Sequence, residues 1–573
     1  MFESLSKVQR SIVFDKNGRF VVKACPGSGK TYTTAARLAY RIQNWSSPSK
    51  GIAVLSFTNV AWKEVQKMID GILGMTINYP HHLGTLDSFI NKYIFLPFGH
   101  LIMGCGKRPT LVGEPHGTWS AGKHDYDYDR YFDCTSISVN DETIPTTADL
   151  TRFHFKWRNK DGSESGHVAR IREAKVKYWG QGYATQADAN YFSYKLLEQY
   201  PNIARSIAMR FPELVIDEAQ DTSEIQMRII DKLIFNGLEN VMLVGDPDQA
   251  IFEWNDARPD LFLEKYYQWE KNSVILDENR RSSQKICNVT YKLTSRANPS
   301  VAVSESVKDI EHVPEIVCYK QDGIHTILDN FLRLCEKYQV EVNPENVAVI
   351  FRSKSIQNLI QEQPERMDDP WAVGNYFVRD LAKGKYLATK GNISEAYRLV
   401  EKAVFKGLFK KSFCSTSDLD DWISSKGFVR HRKDIMSILS YLPDPTGDIN
   451  NWVRKADRIL RANNISLQMT LKRDCGEYIF EELFNTSTGD SLRFRLGTVH
   501  TVKGETFEAV LLVLKEKGAR GSFYRTMLTQ GKKTYDDEEL RIAYVGMTRP
   551  RKLLVLAVPS EQSKAVWDQR LLQ

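Results

Sequence analysis

The stretch RFVVKACPGSGKTYTTAARLAYRIQNW, Arg19 to Trp45, runs from a β-rich apolar segment through a glycine loop into a helix-compatible segment, and its reading decides the fold. This is how a βα unit opens. Within it, Ala24, Cys25, Pro26, Gly27, Ser28, Gly29, Lys30 and Thr31 occupy the place of a phosphate-binding loop. The glycines let backbone N–H groups close on phosphate oxygens, Lys30 reaches the β/γ-phosphates, and the Thr31 hydroxyl ligates Mg²⁺. Ala24 replaces the first glycine of the strict GxxxxGK[ST] pattern. Alone, the loop specifies a nucleoside-triphosphate site and nothing narrower.

Outward from this unit the same rhythm continues in GIAVLSF (Gly51 to Phe57), ELVID (Glu213 to Asp217), NVMLVGD (Asn240 to Asp246) and SVILDE (Ser273 to Glu278). A second set follows in NVAVIFRS (Asn346 to Ser353), RLGTVH (Arg495 to His500), EAVLLVLK (Glu508 to Lys515) and KLLVLAV (Lys552 to Val558). Nearly all-apolar runs of this length are strands buried on both faces, so two α/β domains with parallel sheets are expected. Each is interrupted by material of another character, from about Cys105 to Ser206 and from about Trp371 to Asp490, read as inserted accessory domains. In the first, TRFHFKWRNKDGSESGH (Thr151 to His167) alternates aromatic and basic residues and breaks at Asp161-Gly162, as a β-hairpin does. Its basic residues, with Arg170, Arg172, Lys175 and Lys177, read as a solvated face. The second insert is mostly helix-compatible.

With 573 residues the chain has room for about four domains. Apolar residues at 42% and charged residues at 26% exclude wholesale disorder and fibrous folds. A net charge of +7 permits a polyanionic partner without demonstrating one. Neither a signal peptide nor a membrane span is legible, so a cytoplasmic protein with no membrane partner is expected. Eight cysteines without a CxxC pair argue against a zinc ribbon, an iron–sulfur cluster or a disulfide framework.

The second half of a nucleotide site is Leu214-Val215-Ile216-Asp217-Glu218-Ala219-Gln220-Asp221, an apolar strand delivering adjacent carboxylates at its end. Asp217 would hold Mg²⁺ and Glu218 would orient and deprotonate the attacking water.

These residues and their neighbours resemble the UvrD/Rep family of superfamily 1 helicases, in family order along most of the chain. Gln9 matches the family's adenine-reading glutamine. Phe57-Thr58-Asn59-Val60-Ala61 with Glu64, and Gly84-Thr85-Leu86-Asp87-Ser88-Phe89, are similar to two of its DNA-contact segments. The segment Val244 to Trp254 resembles its coupling motif, which implies Gln249 as γ-phosphate sensor and Phe252 and Trp254 as base-stacking residues. Asn279-Arg280-Arg281-Ser282 implies Arg281 as an arginine finger. Thr498-Val499-His500-Thr501-Val502-Lys503-Gly504 is similar to TxHxxKG, with Thr498 and His500 on DNA, and Ala543 to Arg549 resembles the last motif, implying Arg549 as the second finger. Taken without the motifs, Phe57 and Trp254 read equally as strand-end core; their place in DNA-contact motifs favours stacking for Trp254.

The resemblance implies two RecA-like motor domains, residues 1–104 with 207–275 and residues 276–370 with 491–573. They are split by accessory domains at 105–206, partly β, and 371–490, mostly helical. It also implies ATP with Mg²⁺, a single-strand DNA translocase unwinding 3′-to-5′, and single-stranded and tailed duplex DNA as partners. Arg280 stands where the family has an adenine-stacking tyrosine, and a guanidinium can stack there too. Thr506 stands at the ribose-binding glutamate, leaving Gly504 and Glu505 for that side of the nucleotide. The competing expectation is a nucleic-acid-responsive ATPase subunit regulating a partner nuclease, as in Gabija-type antiphage systems. It is favoured by short inserts and by a first insert that reads β-rich where the family is helical; no nuclease carboxylate cluster is legible outside the ATP site, so any DNA cutting would come from a partner.

Overall fold

The apolar runs become the strands of two parallel sheets. Among the described residues the first has six strands: β1 (Arg19–Ala24), β2 (Ile52–Ser56), β3 (His82–Thr85), β4 (Glu213–Ile216), β5 (Asn240–Gly245) and β6 (Val274–Leu276), in the spatial order β6-β1-β5-β4-β2-β3. The second has five: β7 (Glu315–Cys318), β8 (Val347–Phe351), β9 (Arg495–Thr498), β10 (Phe507–Val513) and β11 (Pro550–Val558), ordered β7-β11-β10-β8-β9. All neighbours in both sheets are parallel, as their double-sided apolar character requires. The computed structural model describes residues 2–57, 59–74, 77–111, 118–121, 124–127, 135–137, 153–155, 163, 176, 179–252, 257–352, 356–357, 360, 371, 376–411, 414, 416–471, 478–484, 493–516 and 523–573.

Alternation along β8 and β10 shows how each sheet is covered. Ala348, Ile350, Val510 and Leu512 enter one core with Leu540, Ala543 and Tyr544 of the helix Glu538–Met547. Val347, Val349, Leu511 and Val513 enter another with Ile327 and Phe331 of the helix Ile324–Lys337. In the first sheet Phe20, Val22, Val54, Val215, Met242 and Val244 pack with Leu38 of the helix Lys30–Gln43. Covered sheets of this kind put their ligand sites at the carboxyl ends of the strands.

Two strands went unread: β3 and β7 are both edge strands. The run Ser273 to Glu278 divides, its first part joining the first sheet as β6 while Glu278–Asn279 pairs with Val301–Ala302. The turn and, but for Ser163, the second arm of the hairpin expected in the first insert lie outside the described residues. Phe153–Phe155, in its first arm, is a strand that pairs antiparallel with Thr135–Ile137. A second antiparallel pair joins Thr118–Ala121 to His124–Asp127.

By contacts the chain divides into two units, Met1–Phe98 with Phe192–Gln363 and Leu492–Gln573, and Gly99–Tyr191 with Pro364–Ser491. The first holds both sheets. The second gathers material from both inserts, where separate accessory domains were expected; Tyr183 donates to Asp420 at 3.2 Å within it. The boundary expected at residue 206 falls inside the helix Pro201–Arg210. Helices Tyr376–Thr389, Ile393–Phe409, Thr416–Lys426, Phe428–Tyr441 and Ile449–Ala462 surround a core containing Leu381, Val400, Val404, Trp422, Ile435 and Trp452.

Candidate active site

Three neighbouring strands of the first sheet, β1, β5 and β4, end beside one cavity of about 410 Å³. After β1 the chain is pinned by the Cys25 N–H, which donates to Leu276 at 3.0 Å, and by Ser28 N–H to Cys25 O at 3.3 Å. Gly27 has φ +69°, and a Cβ there would stand 2.5 Å from the Arg281 Cβ and 2.7 Å from the Asn279 Oδ1. Only glycine fits that approach. Gly29, at φ +78°, is the N-cap of the helix Lys30–Gln43, and a helix N-terminus at the cavity favours an anion. The cavity is lined by Gly27 through Tyr32, whereas Ala24, Cys25 and Pro26 stand outside the lining and serve as the buried base of the loop. The Ser28 hydroxyl is buried with no partner among the described residues.

At the end of β4 the Asp217 N–H still donates to Leu55 O at 2.8 Å, extending the sheet. Glu218 then turns into the left-handed region, φ 55°, a strained conformation for this side chain. That turn separates the two carboxylates. Asp217 Oδ2 accepts from the Thr31 hydroxyl at 3.4 Å, while Glu218 Oε1 lies 3.8 Å from Lys30 Nζ and its other oxygen accepts from Gln220. Burial pulls the Glu218 acid upward, but Lys30 and Lys503 outweigh it and hold the carboxylate ionised, well below the ordinary range. Asp217 is pushed up by burial and then by the Glu218 charge. Asp221 is raised to about 6 by burial, although Lys503 Nζ donates to its Oδ2 at 2.6 Å. Glu64 also lines the cavity and is raised by burial, against the pull of Arg281.

The other wall carries the arginines. Asn279 Oδ1 accepts from the N–H groups of Arg281 and Ser282, both at 2.8 Å, and so shapes the turn that projects Arg281. Arg281 donates to Thr548 O at 3.2 Å. Arg549 donates to Val545 O at 2.9 Å and to Gln249 Oε1 at 3.1 Å. Burial pushes Arg281 down to about 10, and burial with repulsion from Arg281 pushes Arg549 down to about 9. Both keep their charge at neutral pH. The cavity thus combines Lys30, Arg281, Arg549, the loop amides and a buried free hydroxyl, a donor set that fits a polyphosphate. The Thr31–Asp217 pair fits a divalent cation.

Other expected residues distribute differently. Gln9 is buried behind the loop, its amide donating to Thr33 Oγ1 at 3.0 Å and Ser28 O at 3.5 Å, and is outside the cavity lining. Arg280 lines the cavity and pairs with Glu278 at 2.9 Å. Glu505 pairs with Arg495 at 3.6 Å and is outside the lining, whereas Gly504 and Thr506 line the cavity. Phe57, Phe252 and His500, expected on DNA, line this same cavity. Phe57 and Phe252 rings lie 5.2 Å apart, His500 follows at 6.2 Å, and Lys503 Nζ sits 4.5 Å from the Phe252 centroid. Thr85 caps the helix Leu86–Ile90 through Ser88 N–H at 3.1 Å, and Thr498 bonds within its own turn to Thr501. Thr58, Trp254 and the Asn59 side chain lie outside the described residues. Sequence reasoning gave no role to Lys503, Asp221 or Glu64, although all stand in the quoted segments; Tyr32, Met68 and Arg551, also in the lining, carry no pattern.

A profile described as the UvrD/REP helicase N-terminal domain matches residues 5–101 and 162–270, and one described as the UvrD-like helicase C-terminal domain matches 481–561. Together they cover half of the chain. The chain belongs to the UvrD/Rep helicase family. Within that family it is similar to the ATP-dependent DNA helicase PcrA of Leuconostoc citreum, 22% identical over 76% of this chain and 58% of that protein. It is also similar to the ATP-dependent DNA helicase srs2 of Schizosaccharomyces pombe, 22% identical over 96% of this chain and 71% of that protein. A shorter likeness, 36% identical but confined to 19% of this chain and 9% of that protein, is to the exonuclease/helicase subunit RexA of Streptococcus pneumoniae. Among the described residues no helix is long and apolar enough to cross a membrane.

Proposed function

We propose that this UvrD/Rep-family chain is an ATP-driven single-strand DNA translocase and 3′-to-5′ DNA helicase acting in the cytoplasm. The observation that carries the ATPase reading is the Gln249–Arg549 contact at 3.1 Å in a cavity that also holds Lys30 and Glu218. A sensor glutamine from one α/β domain and an arginine from the other meet where a γ-phosphate would lie. Lys30 and the loop amides bind the β- and γ-phosphates, Glu218 takes the proton of the attacking water, and Arg281 and Arg549 stabilise charge that grows in the transition state. Thr31 and Asp217 would hold Mg²⁺, which supplies charge to the phosphate oxygens when bound. The Glu218 geometry supports its role, since Lys30 and Lys503 keep it ionised and able to accept a proton.

Coupling to DNA would run through the short segment from Gln249 to Phe252, whose aromatic ring lies tilted against Phe57 and edge-on to His500. Movement of Gln249 on hydrolysis would shift that ring and the Trp254 that follows it. The likeness to an exonuclease/helicase subunit supports a second reading, an ATPase subunit regulating a partner nuclease, over a small part of the chain. The long matches favour the helicase. ATPase and strand displacement on duplexes with 3′ or 5′ tails, with and without co-purifying proteins, separate the two. Displacement of 3′-tailed duplex by the isolated chain supports the helicase, and DNA-stimulated ATPase without displacement on either tail overturns it in favour of the second reading.

A further inference from the structure

We infer that Arg296, which lies outside every motif quoted above, is a positioning residue for hydrolysis: it fixes Asp246, and Asp246 fixes the amide of Gln249 toward Arg549. The inference rests on the ATPase reading of the site. Arg296 follows the short turn Tyr291–Leu293 and reaches back to the first sheet, where its Nη2 donates to Ala24 O at 2.7 Å and to Asp246 Oδ1 at 3.2 Å. Its Nε donates to Asp248 Oδ2 at 3.4 Å. One guanidinium therefore ties the base of the phosphate loop to two carboxylates at the end of β5. Asp246 is fully buried, and the Arg296 side chain is 17% exposed. The guanidinium sits between two buried carboxylates and offsets their mutual repulsion.

The second oxygen of Asp246 accepts from Gln249 Nε2 at 2.7 Å. This decides which way the Gln249 amide faces. With its NH₂ held by an anion, its Oε1 is the atom presented to Arg549 Nη2 at 3.1 Å. In the flipped amide, the NH₂ would meet the guanidinium donor to donor and the Oε1 would meet the carboxylate. Arg296 thus acts on the arginine through two intermediates and touches no phosphate-binding atom of the cavity. The remaining oxygen of Asp248 accepts from Thr534 Oγ1 at 2.6 Å, which anchors the same knot to the second α/β domain.

The test is a double-mutant cycle of Arg296→Met with Gln249→Ala, reading ATP turnover per nucleotide-binding molecule and ATP affinity on the whole chain. Arg296→Met should lower kcat roughly tenfold to a hundredfold, the range outer partners of a site command, with ATP affinity within a few-fold of wild type. In the Gln249→Ala background the same substitution should cost nothing further, because the group it positions is gone. An equal loss in both backgrounds, or wild-type turnover in Arg296→Met, overturns the inference. Should Arg296→Met fail to fold, Arg296→Lys enters the same cycle, since one ammonium cannot reach Ala24 and both carboxylates together. Lys30→Ala in parallel tells the two failures apart: an active Lys30→Ala overturns the nucleotide site itself, and with an inactive one the cycle alone decides the role of Arg296.

Discussion

Glu218 carries the cost of its position in its own backbone, a left-handed turn of the order of 1–3 kcal/mol that only its carboxylate justifies. Glu218→Gln should therefore abolish hydrolysis while ATP binding persists, and Lys30→Ala should lose both; equilibrium nucleotide binding beside steady-state turnover checks this. Turnover within tenfold of wild type in both would refute the site. Arg281→Ala and Arg549→Ala should each lower kcat by roughly 10³–10⁵-fold with small changes in ATP affinity, since both arms act on the transition state. Loss of affinity in proportion to loss of rate would make either one a ground-state clamp. Asp221 gives a pH signature. Its acid is raised from an ordinary 3.8 to about 6. Its contribution to stability is therefore complete below about 3.8 and lost as pH rises through about 6. Melting temperature followed across that window should fall for this reason, and Asp221→Asn should flatten that part of the profile.

At the scale of elements, all the central strands were legible, and of the four edge strands β6 and β9 were read while β3 and β7 were not. β4 and β10 are apolar on both faces and stand out in the sequence, whereas β3 (HLGT) and β7 (EIVC) lie at sheet margins, where alternate residues meet solvent and the run is broken. The contiguous phosphate loop and the Asp217-Glu218 pair were equally legible, because their chemistry sits within a few residues. Arg296 was not, since its place depends on a contact between residues 50 apart. The segment from Gln249 to Trp254 carries the next prediction: Trp254→Ala should weaken single-strand binding by about 1–3 kcal/mol and spare basal ATPase. A large drop in melting temperature with unchanged DNA affinity would assign Trp254 to the core instead. In the helical unit, Gly384 lets the helix Tyr376–Thr389 lie against Ile393–Phe409; a Cβ there would stand 2.6 Å from Val400 Cγ2 and 3.2 Å from Ala396 O. Gly384→Val should destabilise that unit by about 1–3 kcal/mol, seen in thermal melting, with ATP turnover in the absence of DNA preserved.

For the molecule as a whole, ligand linkage gives a test independent of turnover. ATP at a hundred times its dissociation constant should add about 2.7 kcal/mol of stability to wild type and to Glu218→Gln, and none to Lys30→Ala. Single-strand binding should weaken with salt at a slope of about −0.7 per phosphate neutralised. The strand order also governs how the molecule comes into being. Every described strand of the first sheet lies within residues 19–276, so that sheet can assemble early in synthesis. The second cannot: β11, residues 550–558, lies between β7 and β10, and Arg549 immediately precedes it. A nascent chain that has already made its phosphate loop and its carboxylates therefore still lacks the arginine facing Gln249. Between those two moments on the ribosome it can grip a nucleotide but lacks the finger that speeds its hydrolysis, so the growing polypeptide should spend little ATP before its second sheet is in place.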